Sequence, residues 1–441
     1  MHIIPYNNTL HVMNKHTILY NSMHNSIIIL KNHLLDPDFS LSNLRFKEDE
    51  NLYAKLVKGG FIIENIEDEI ETLKNKVSES LTNNNEFILH INPTLDCNVK
   101  CWYCYENHVK GSKLNSTVAN SIKRLIERIT RNSEIKTLEI GFFGGEPLMH
   151  FNEISKGLIK SINDICLNRG VKIKVHFTTN GTLLNDTIIS FLKRYDSAFQ
   201  ITLDGVSNTH NKTRFLENGK GTFDLIISNI IKLAKNSLKT IVRVNYTKAN
   251  VHSIMEIESY LSSLPKEAKG FIFFDFQRVW QERTNKEDET ERKMCDIRDK
   301  YRAMGYNVLV NYLHKDVKYP CYGDKMNYLM INYNGEIFGC TARDFKSSNR
   351  LGQIHSDGTV AYDFGKYETW SALKFRKKIC HTCRIAPICG GGCKQRAYEV
   401  LEENVCTLHY SEVDKDKRVL DIIDFILTNK AYSHDDIISK N

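Results

Sequence analysis

From Phe87 onward the apolar residues follow two alternating patterns. Short apolar runs at Phe87–Asn92, Thr137–Phe143, Val171–Thr178, Ala198–Leu203, Thr240–Tyr246 and Gly270–Phe276 have the length and composition of buried strands. Between them lie stretches with helical spacing. Thr117–Arg131 places Val118, Ile122, Leu125, Ile126 and Ile129 on one face, and 151–168, 185–194, 222–235 and 251–263 read the same way. Strands that alternate with helices predict an α/β fold with a parallel sheet, which right-handed crossovers would curl into a barrel or partial barrel. In that architecture the functional loops gather beyond the C-terminal ends of the strands.

Residues 1–85 have another texture. The apolar stretches Thr17-Ile18-Leu19-Tyr20 and Ser26-Ile27-Ile28-Ile29-Leu30 precede a helical stretch through Leu52, Leu56 and Val57, then Gly59-Gly60-Phe61-Ile62-Ile63 and an acidic helix from Glu67 to Leu81. A helix pair with a wing is one reading, and a purely structural subdomain is the other. The polar run Thr82-Asn83-Asn84-Asn85 predicts a boundary. The expected organisation is an N-terminal domain at 1–85, a core at 86–280, a bridge at 281–320, a cysteine-rich domain at 321–410 and a helical tail at 411–441.

With 441 residues the chain has room for about two or three domains. Its 41% hydrophobic and 26% charged content is ordinary for a globular protein. The net charge of +7 fits a lysine-rich surface or an acidic peptide partner, and no basic run with interleaved aromatics suggests a nucleic-acid groove. Met1-His2-Ile3-Ile4-Pro5-Tyr6 lacks the pattern of a signal peptide, and runs such as Ile27–Leu30 are too short to span a membrane. The expected location is therefore the cytoplasm, with neither membrane nor nucleic acid as a partner. In a reducing compartment the 12 cysteines read as metal ligands before disulfides.

Three of them form the run Asp96-Cys97-Asn98-Val99-Lys100-Cys101-Trp102-Tyr103-Cys104. A C-x3-C-x2-C loop supplies three thiolates to a four-iron cluster and leaves one iron open for chemistry. From these residues alone, a zinc loop is the alternative. The loop follows the first predicted strand. Gly144-Gly145-Glu146-Pro147 follows the second, Thr179-Asn180-Gly181-Thr182 the third and Asp204-Gly205 the fourth, so independent motifs converge on one face.

This set resembles the radical S-adenosylmethionine (SAM) superfamily. The resemblance implies a partial (β/α)6 TIM-like barrel in which Cys97, Cys101 and Cys104 bind the catalytic cluster. Its open iron would chelate SAM, and Gly144, Gly145, Glu146 and Pro147 would meet the SAM ammonium group. The two glycines suit that role because side chains would block close approach. Thr179, Asn180 and Gly181 would border the ribose or carboxylate, and Tyr103 the adenine. Asp204 resembles a substrate-side turn, and Arg243 could balance a carboxylate; a helix cap and an ordinary salt bridge are their plainer readings. Trp102 reads as packing.

Downstream, Cys321 is followed by Gly335-x4-Cys340, then Cys380-x2-Cys383-x5-Cys389-x3-Cys393, and finally Cys406. Zinc ribbons are the alternative from spacing alone. The order resembles the SPASM extension of radical SAM enzymes, which implies two auxiliary four-iron clusters besides the SAM-binding one. Cys380, Cys383, Cys389 and Cys406 would bind the distal cluster, and Cys321, Cys340 and Cys393 the nearer one. The nearer would then keep an open iron, or take a fourth ligand such as Cys295. Cys166 lies on an apolar helix and reads as core. His90, His150, His176 and His210 form no metal-ligand pair and read as structural or surface residues.

Members with this extension act mainly on ribosomally made peptides. Residues 1–85, through Leu56–Ile63, look like a winged-helix peptide-recognition domain able to capture a leader segment. The expected function is a peptide maturase that installs a thioether or carbon–carbon crosslink, with a low-potential donor such as flavodoxin or ferredoxin. The alternatives are an anaerobic sulfatase-maturating enzyme that makes formylglycine, and, in another class, an iron–sulfur electron-transfer or scaffold protein. Many sulfatase-maturating enzymes carry an Asp where Thr341 stands here.

Overall fold

The computed structural model describes residues 2–3, 6–12, 16–31, 50–82, 85–282, 288–309, 320–428 and 437–439. Asn83 and Asn84 of the expected boundary, parts of the expected bridge (283–287 and 310–319) and much of the expected tail beyond Thr428 lie outside the described residues. The chain divides into two compact units, one of residues 1–83, 311–326 and 368–441, the other of residues 84–310 and 327–367.

In the first unit, β1 (Asn7–Val12), β2 (His16–Asn21) and β3 (Ser26–Lys31) form an antiparallel meander. Helix α1 (Glu50–Lys58) ends where Gly60 adopts φ +71. There Phe61 N–H donates to Leu56 C=O and Gly60 N–H to Val57 C=O, a Schellman stop in which Phe61 packs back on Leu56. Helix α2 (Ile66–Leu81) opens on Asn65, whose side chain accepts from Glu67 N–H, and carries Glu67, Asp68 and Glu69 in its first turn, where negative charge is favoured.

The cores of this unit join the two ends of the chain. Ile18, Tyr20 and Ile27 bury against Ile385, Ile388 and the apolar face of helix Glu412–Thr428, with Val419, Ile422, Ile423 and Ile426. Tyr6, Met23, Leu73 and Val77 pack with Phe375 and Ala386, against which Cys380 and Cys383 also lie. Polar bonds follow the same seam: Tyr6 O–H donates to His381 C=O at 2.9 Å and Ser22 O–H to Arg384 C=O at 2.5 Å.

The second unit contains a mixed sheet built from β4 (Glu86–Ile91), β6 (Thr137–Phe142), β7 (Lys172–Thr179), β8 (Asp196–Thr202), β10 (Lys239–Tyr246), β11 (Ile272–Arg278), β12 (Asn307–Val308), β13 (Tyr328–Ile331), β14 (Glu336–Phe338), β15 (Arg350–Ile354) and β16 (Val360–Tyr362). Its order is β12-β11-β10-β8-β7-β6-β4-β13-β14-β15-β16. Neighbours are parallel from β12 to β13 and antiparallel beyond. A separate small ladder pairs β5 (Val99–Cys101) with β9 (Arg214–Leu216).

All six strands read from the sequence are present and parallel. What the sequence did not disclose is β13, which joins the open edge of β4. Its four residues are all buried, and so short an apolar run is ambiguous by pattern alone. One face of the strands, with Leu138, Ile140, Phe142, Val175, Phe177, Phe199, Ile201, Val242 and Val244, packs into the main core with helices α3 (Ser116–Ile129), α4 (Lys156–Leu167) and α5 (Phe223–Lys235). The opposite face is polar. His90, Gly141 and His176 occupy one register row, and Thr202, Arg243 and Asp275 another nearer the strand ends. A Cβ on Gly141 would stand 2.0 Å from the His90 ring, so the absent side chain makes room for the imidazole. Among the described residues no helix is long and apolar enough to cross a membrane.

Two outcomes are expected. Removing residues 1–82 would uncover Ile385, Ile388, Val419 and Ile422; at about 1.5–3 kcal/mol per buried aliphatic side chain, the loss rivals a whole domain's stability. Limited proteolysis should then cut within 368–428, whereas an independent N-terminal domain would leave that region resistant. The second outcome concerns acid. Burial lowers His90 and His210 to about 3 and His176 to about 4. Because these folded values lie below the unfolded value of about 6.5, their stabilisation is complete above that pH and is lost as pH falls toward 4. Urea midpoints measured from pH 7.5 down to 5 should decrease.

Candidate functional site

Strand β4 delivers the cysteine loop. Beyond Ile91 the chain passes through buried Asn92 and Thr94. The Thr94 hydroxyl donates to Ser112 C=O at 2.6 Å and accepts Asp96 N–H at 2.9 Å. The Asp96 carboxylate then takes Cys97 N–H and Gly111 N–H, both at 2.8 Å. The β5–β9 ladder sets Cys101 opposite Arg214, and Cys104 N–H closes the loop on Cys101 C=O at 3.2 Å.

The Gly144–Pro147 turn is stitched to this loop. Gly145 N–H donates to Thr94 C=O at 3.2 Å and Glu146 N–H to Asp96 C=O at 2.8 Å. A Cβ on Gly144, which has φ +103, would lie 2.3 Å from the Thr94 carbonyl oxygen, and one on Gly145 would lie 2.2 Å from that of Asp96. The approach of the cysteine loop itself therefore requires glycine at both positions.

Glu146 is fully buried. One carboxylate oxygen accepts from Thr179 O–H at 2.7 Å and Leu148 N–H at 2.9 Å, and the other accepts from Asn180 N–H at 2.7 Å. Burial raises its pKa, and these hydrogen bonds oppose the rise. The carboxylate thus clamps the second loop to the third. There Asn180 uses its side-chain N–H on Asn98 at 2.9 Å and on the Cys97 sulfur at 3.8 Å, while its oxygen takes Thr182 N–H. Gly181 turns with φ +79, and its carbonyl accepts from Asn229 at 2.8 Å.

Tyr103 O–H donates to the buried Asp204 carboxylate and accepts from Arg214 at 2.9 Å and Asn245 at 3.3 Å. Asp204 is held in turn by Asn245 N–H, and its own N–H donates to His210 Nδ1, both at 3.0 Å. His210 is thus the structural residue expected of it. Arg214 is the site residue that the sequence did not reveal. It is 6% exposed, and among the described residues its buried Nε has no hydrogen-bond partner. Although burial works against its charge, Cys101, Tyr103 and Asp204 raise its pKa well above the ordinary value. Its signal is tertiary, since only the β5–β9 register carries it to Cys101. Arg243, the cation singled out from the sequence, is paired instead with Asp275 at 2.5 Å and also donates to Asn245 at 3.3 Å. Trp102 is 53% exposed, edge-on to Tyr103, so it does not pack in a core.

None of the twelve cysteines is joined in a disulfide. Burial pushes Cys97 up to about 12, raises Cys101, and pushes Cys104 up to about 11. Thiolates in such a place need a cationic partner, and three of them fit an iron–sulfur cluster. Among the described residues no group of His, Cys, Asp or Glu closes to the spacing of a single-ion site; a cluster with several irons spreads its ligands more widely than one ion does. In the other unit, burial pushes Cys380 up to about 12 and raises Cys389, and each feels Cys383 and Cys406. Those four thiols lie within electrostatic reach of one another. Cys321 and Cys393 belong to the same unit, whereas Cys340 belongs to the barrel-like unit, where its sulfur accepts Ala342 N–H at 3.2 Å. Cys166 is fully buried, as expected of a core residue. Cys295 is exposed, 3.8 Å from Arg298.

Residues 91–261 match the family model of the Radical SAM superfamily. Radical SAM cyclopropyl synthase TigE of Paramaledivibacter caminithermalis is 24% identical over 78% of this chain and 76% of its own length. The cysteine-type anaerobic sulfatase-maturating enzyme of Clostridium perfringens is 21% identical over 71% of this chain and 90% of its own. The structure of Streptococcus suis SuiB bound to precursor peptide SuiA has the same fold, with a TM-score of 0.51 and 16% identity over 91% of this chain and 96% of that one.

Gly145→Ala should cost up to about 3 kcal/mol through overpacking against the cysteine loop, so iron incorporated on reconstitution should fall while circular dichroism stays unchanged. Gly157→Ala, with nothing within 4 Å of the added Cβ, is the control and should incorporate iron like the parent.

Proposed function

We propose, from the premise that this chain is an enzyme with a radical SAM domain over residues 91–261, that it crosslinks a ribosomally made precursor peptide through a thioether or carbon–carbon bond. Its cofactors are SAM and an iron–sulfur cluster. In the proposal Cys97, Cys101 and Cys104 hold that cluster, while Cys380, Cys383, Cys389 and Cys406 hold an auxiliary cluster. When bound, the first cluster would supply one low-potential electron for reductive cleavage of SAM and hydrogen abstraction from the peptide, and an auxiliary cluster would accept the electron that crosslinking releases. A flavodoxin or ferredoxin would provide the electron, in the cytoplasm.

The chain's own residues bind and orient. The backbone at Gly144 and Glu146 receives the SAM ammonium group, and Thr179, Asn180 and Gly181 line its ribose side. Arg214 takes the carboxylate, for among the described residues its buried Nε has no partner and a guanidinium matches a carboxylate in plane. Arg243, already paired with Asp275, holds the strand ends. Tyr103 fixes Arg214 through its hydroxyl. The observation that carries the reading is the hydrogen-bonded convergence of the cysteine loop, the Gly144–Glu146 turn and the Thr179–Thr182 loop beside a buried cation. The peptide substrate is favoured by SuiB, which was solved with its precursor peptide.

Formylglycine formation is the second reading, favoured by the sulfatase-maturating relative of which nine-tenths is covered. One experiment separates them. The reconstituted enzyme is reduced with dithionite under anaerobic conditions with SAM and either the short peptides encoded beside its gene or a sulfatase peptide. Expected are 5′-deoxyadenosine and a product lighter by two hydrogens. A sulfatase peptide that exchanges its thiol for an aldehyde would select the second reading, and a lack of 5′-deoxyadenosine would refute both.

A further inference from the structure

The meander of the first unit gains a fourth strand from the far end of the chain. Ile437–Ser439 pairs in parallel with β3, with Ile437 opposite Ile27, Ile438 opposite Ile28 and Ser439 opposite Ile29. The sheet order is then Ile437–Ser439, β3, β2, β1. Both faces of β3 are already covered. Ile27 shares a core with Ile385 and the helix Glu412–Thr428, and Ile28 shares another with Leu52, Leu56 and Phe61. Packing therefore fixes β3 from both sides, and what it offers a further partner is its outer hydrogen-bonding margin.

The added strand is a weak occupant of a well-built site. It has three residues on an edge strand of six, and a parallel ladder is slightly less stable per residue than an antiparallel one. What favours it is its tether to the same chain. An extended peptide that runs antiparallel along all of Ser26–Lys31 makes a longer ladder of the stronger kind. We propose that Ile437–Ser439 is a displaceable strand, which fills the edge of β3 in cis and yields it to an extended segment of the precursor peptide. While in place it keeps the edge from pairing with other chains. It also lowers the apparent affinity for peptide in proportion to the fraction of molecules whose edge is open. The inference rests on the peptide substrate proposed above and on none of the cluster assignments.

The test compares the reconstituted full-length enzyme with a form that ends at Asp436 and with the double variant Ile437→Pro/Ile438→Pro. Successive N–H groups of a strand point to opposite sides, so two prolines remove whichever one faces the ladder. All three forms keep the helix Glu412–Thr428. Hydrogen exchange of Ser26–Lys31 is followed by mass spectrometry with and without the short peptides encoded beside the gene, and KM and kcat are measured for the same peptides. Expected in both altered forms is faster exchange of Ser26–Lys31, slowed again by peptide, and a KM lower by roughly threefold or more at unchanged kcat. Equal exchange in all three forms would overturn the cis strand. Faster exchange that peptide does not slow, with KM unchanged and crosslinked product still formed, would reduce the tail to an edge cover and overturn the displacement. Absence of crosslinked product from every form, with exchange still slowed by peptide, would overturn the crosslinking reading and support the strand exchange.

Discussion

The active end of the barrel-like unit depends on one buried carboxylate. Glu146 starts from the second strand loop, joined by its N–H to Asp96 of the cysteine loop, and reaches with both oxygens to Thr179 and Asn180 of the third. Backbone and side chain of a single residue thus bind three loops that are far apart in sequence. A buried carboxylate costs several kcal/mol unless its lone pairs are satisfied, so the clamp holds only while all of its donors are in place. That constraint makes the neighbouring positions intolerant. Gly144 and Gly145 must lack side chains because the cysteine loop lies against them, and Thr179 and Asn180 must present donors.

The same economy of charge recurs beside Cys101. Tyr103, Asp204, Arg214 and Asn245 share one hydrogen-bonded group in which the carboxylate and the guanidinium are both buried. A network of this kind is rigid when every member is satisfied and costly when one is not. Among the described residues Arg214 Nε remains the member without a hydrogen-bond partner, which is why the proposal gives this spot an anion. In the other unit Lys374 and Asp324 form a buried pair whose charges cancel.

Much of this was legible from pattern. The six parallel strands and the loops after them follow from apolar runs alternating with helical spacing, because period and length report local geometry. Cys97, Cys101 and Cys104 were legible because ligand spacing within one loop is a local property. Arg214 was not, since it reaches Cys101 only through the pairing of two three-residue strands more than a hundred residues apart. Arg243 was chosen in its place because it lies on an evident strand, where its neighbour Asp275 comes from an adjacent strand and is invisible to spacing.

Sequence alone determined the alternating α/β order, the spacing of the cysteine groups and the glycine–glutamate turn, all of which are written in residues close together along the chain. Only the tertiary structure decided what those residues touch. It assigned Gly144 and Gly145 to the cysteine loop, Glu146 to a clamp, Arg243 to Asp275, and residues 1–82 to a core shared with Ile385, Ile388 and the helix Glu412–Thr428. The reason is physical. Periodicity is fixed by the backbone geometry of neighbouring residues, whereas burial and charge pairing depend on which distant segments close against each other, and no local pattern encodes that choice.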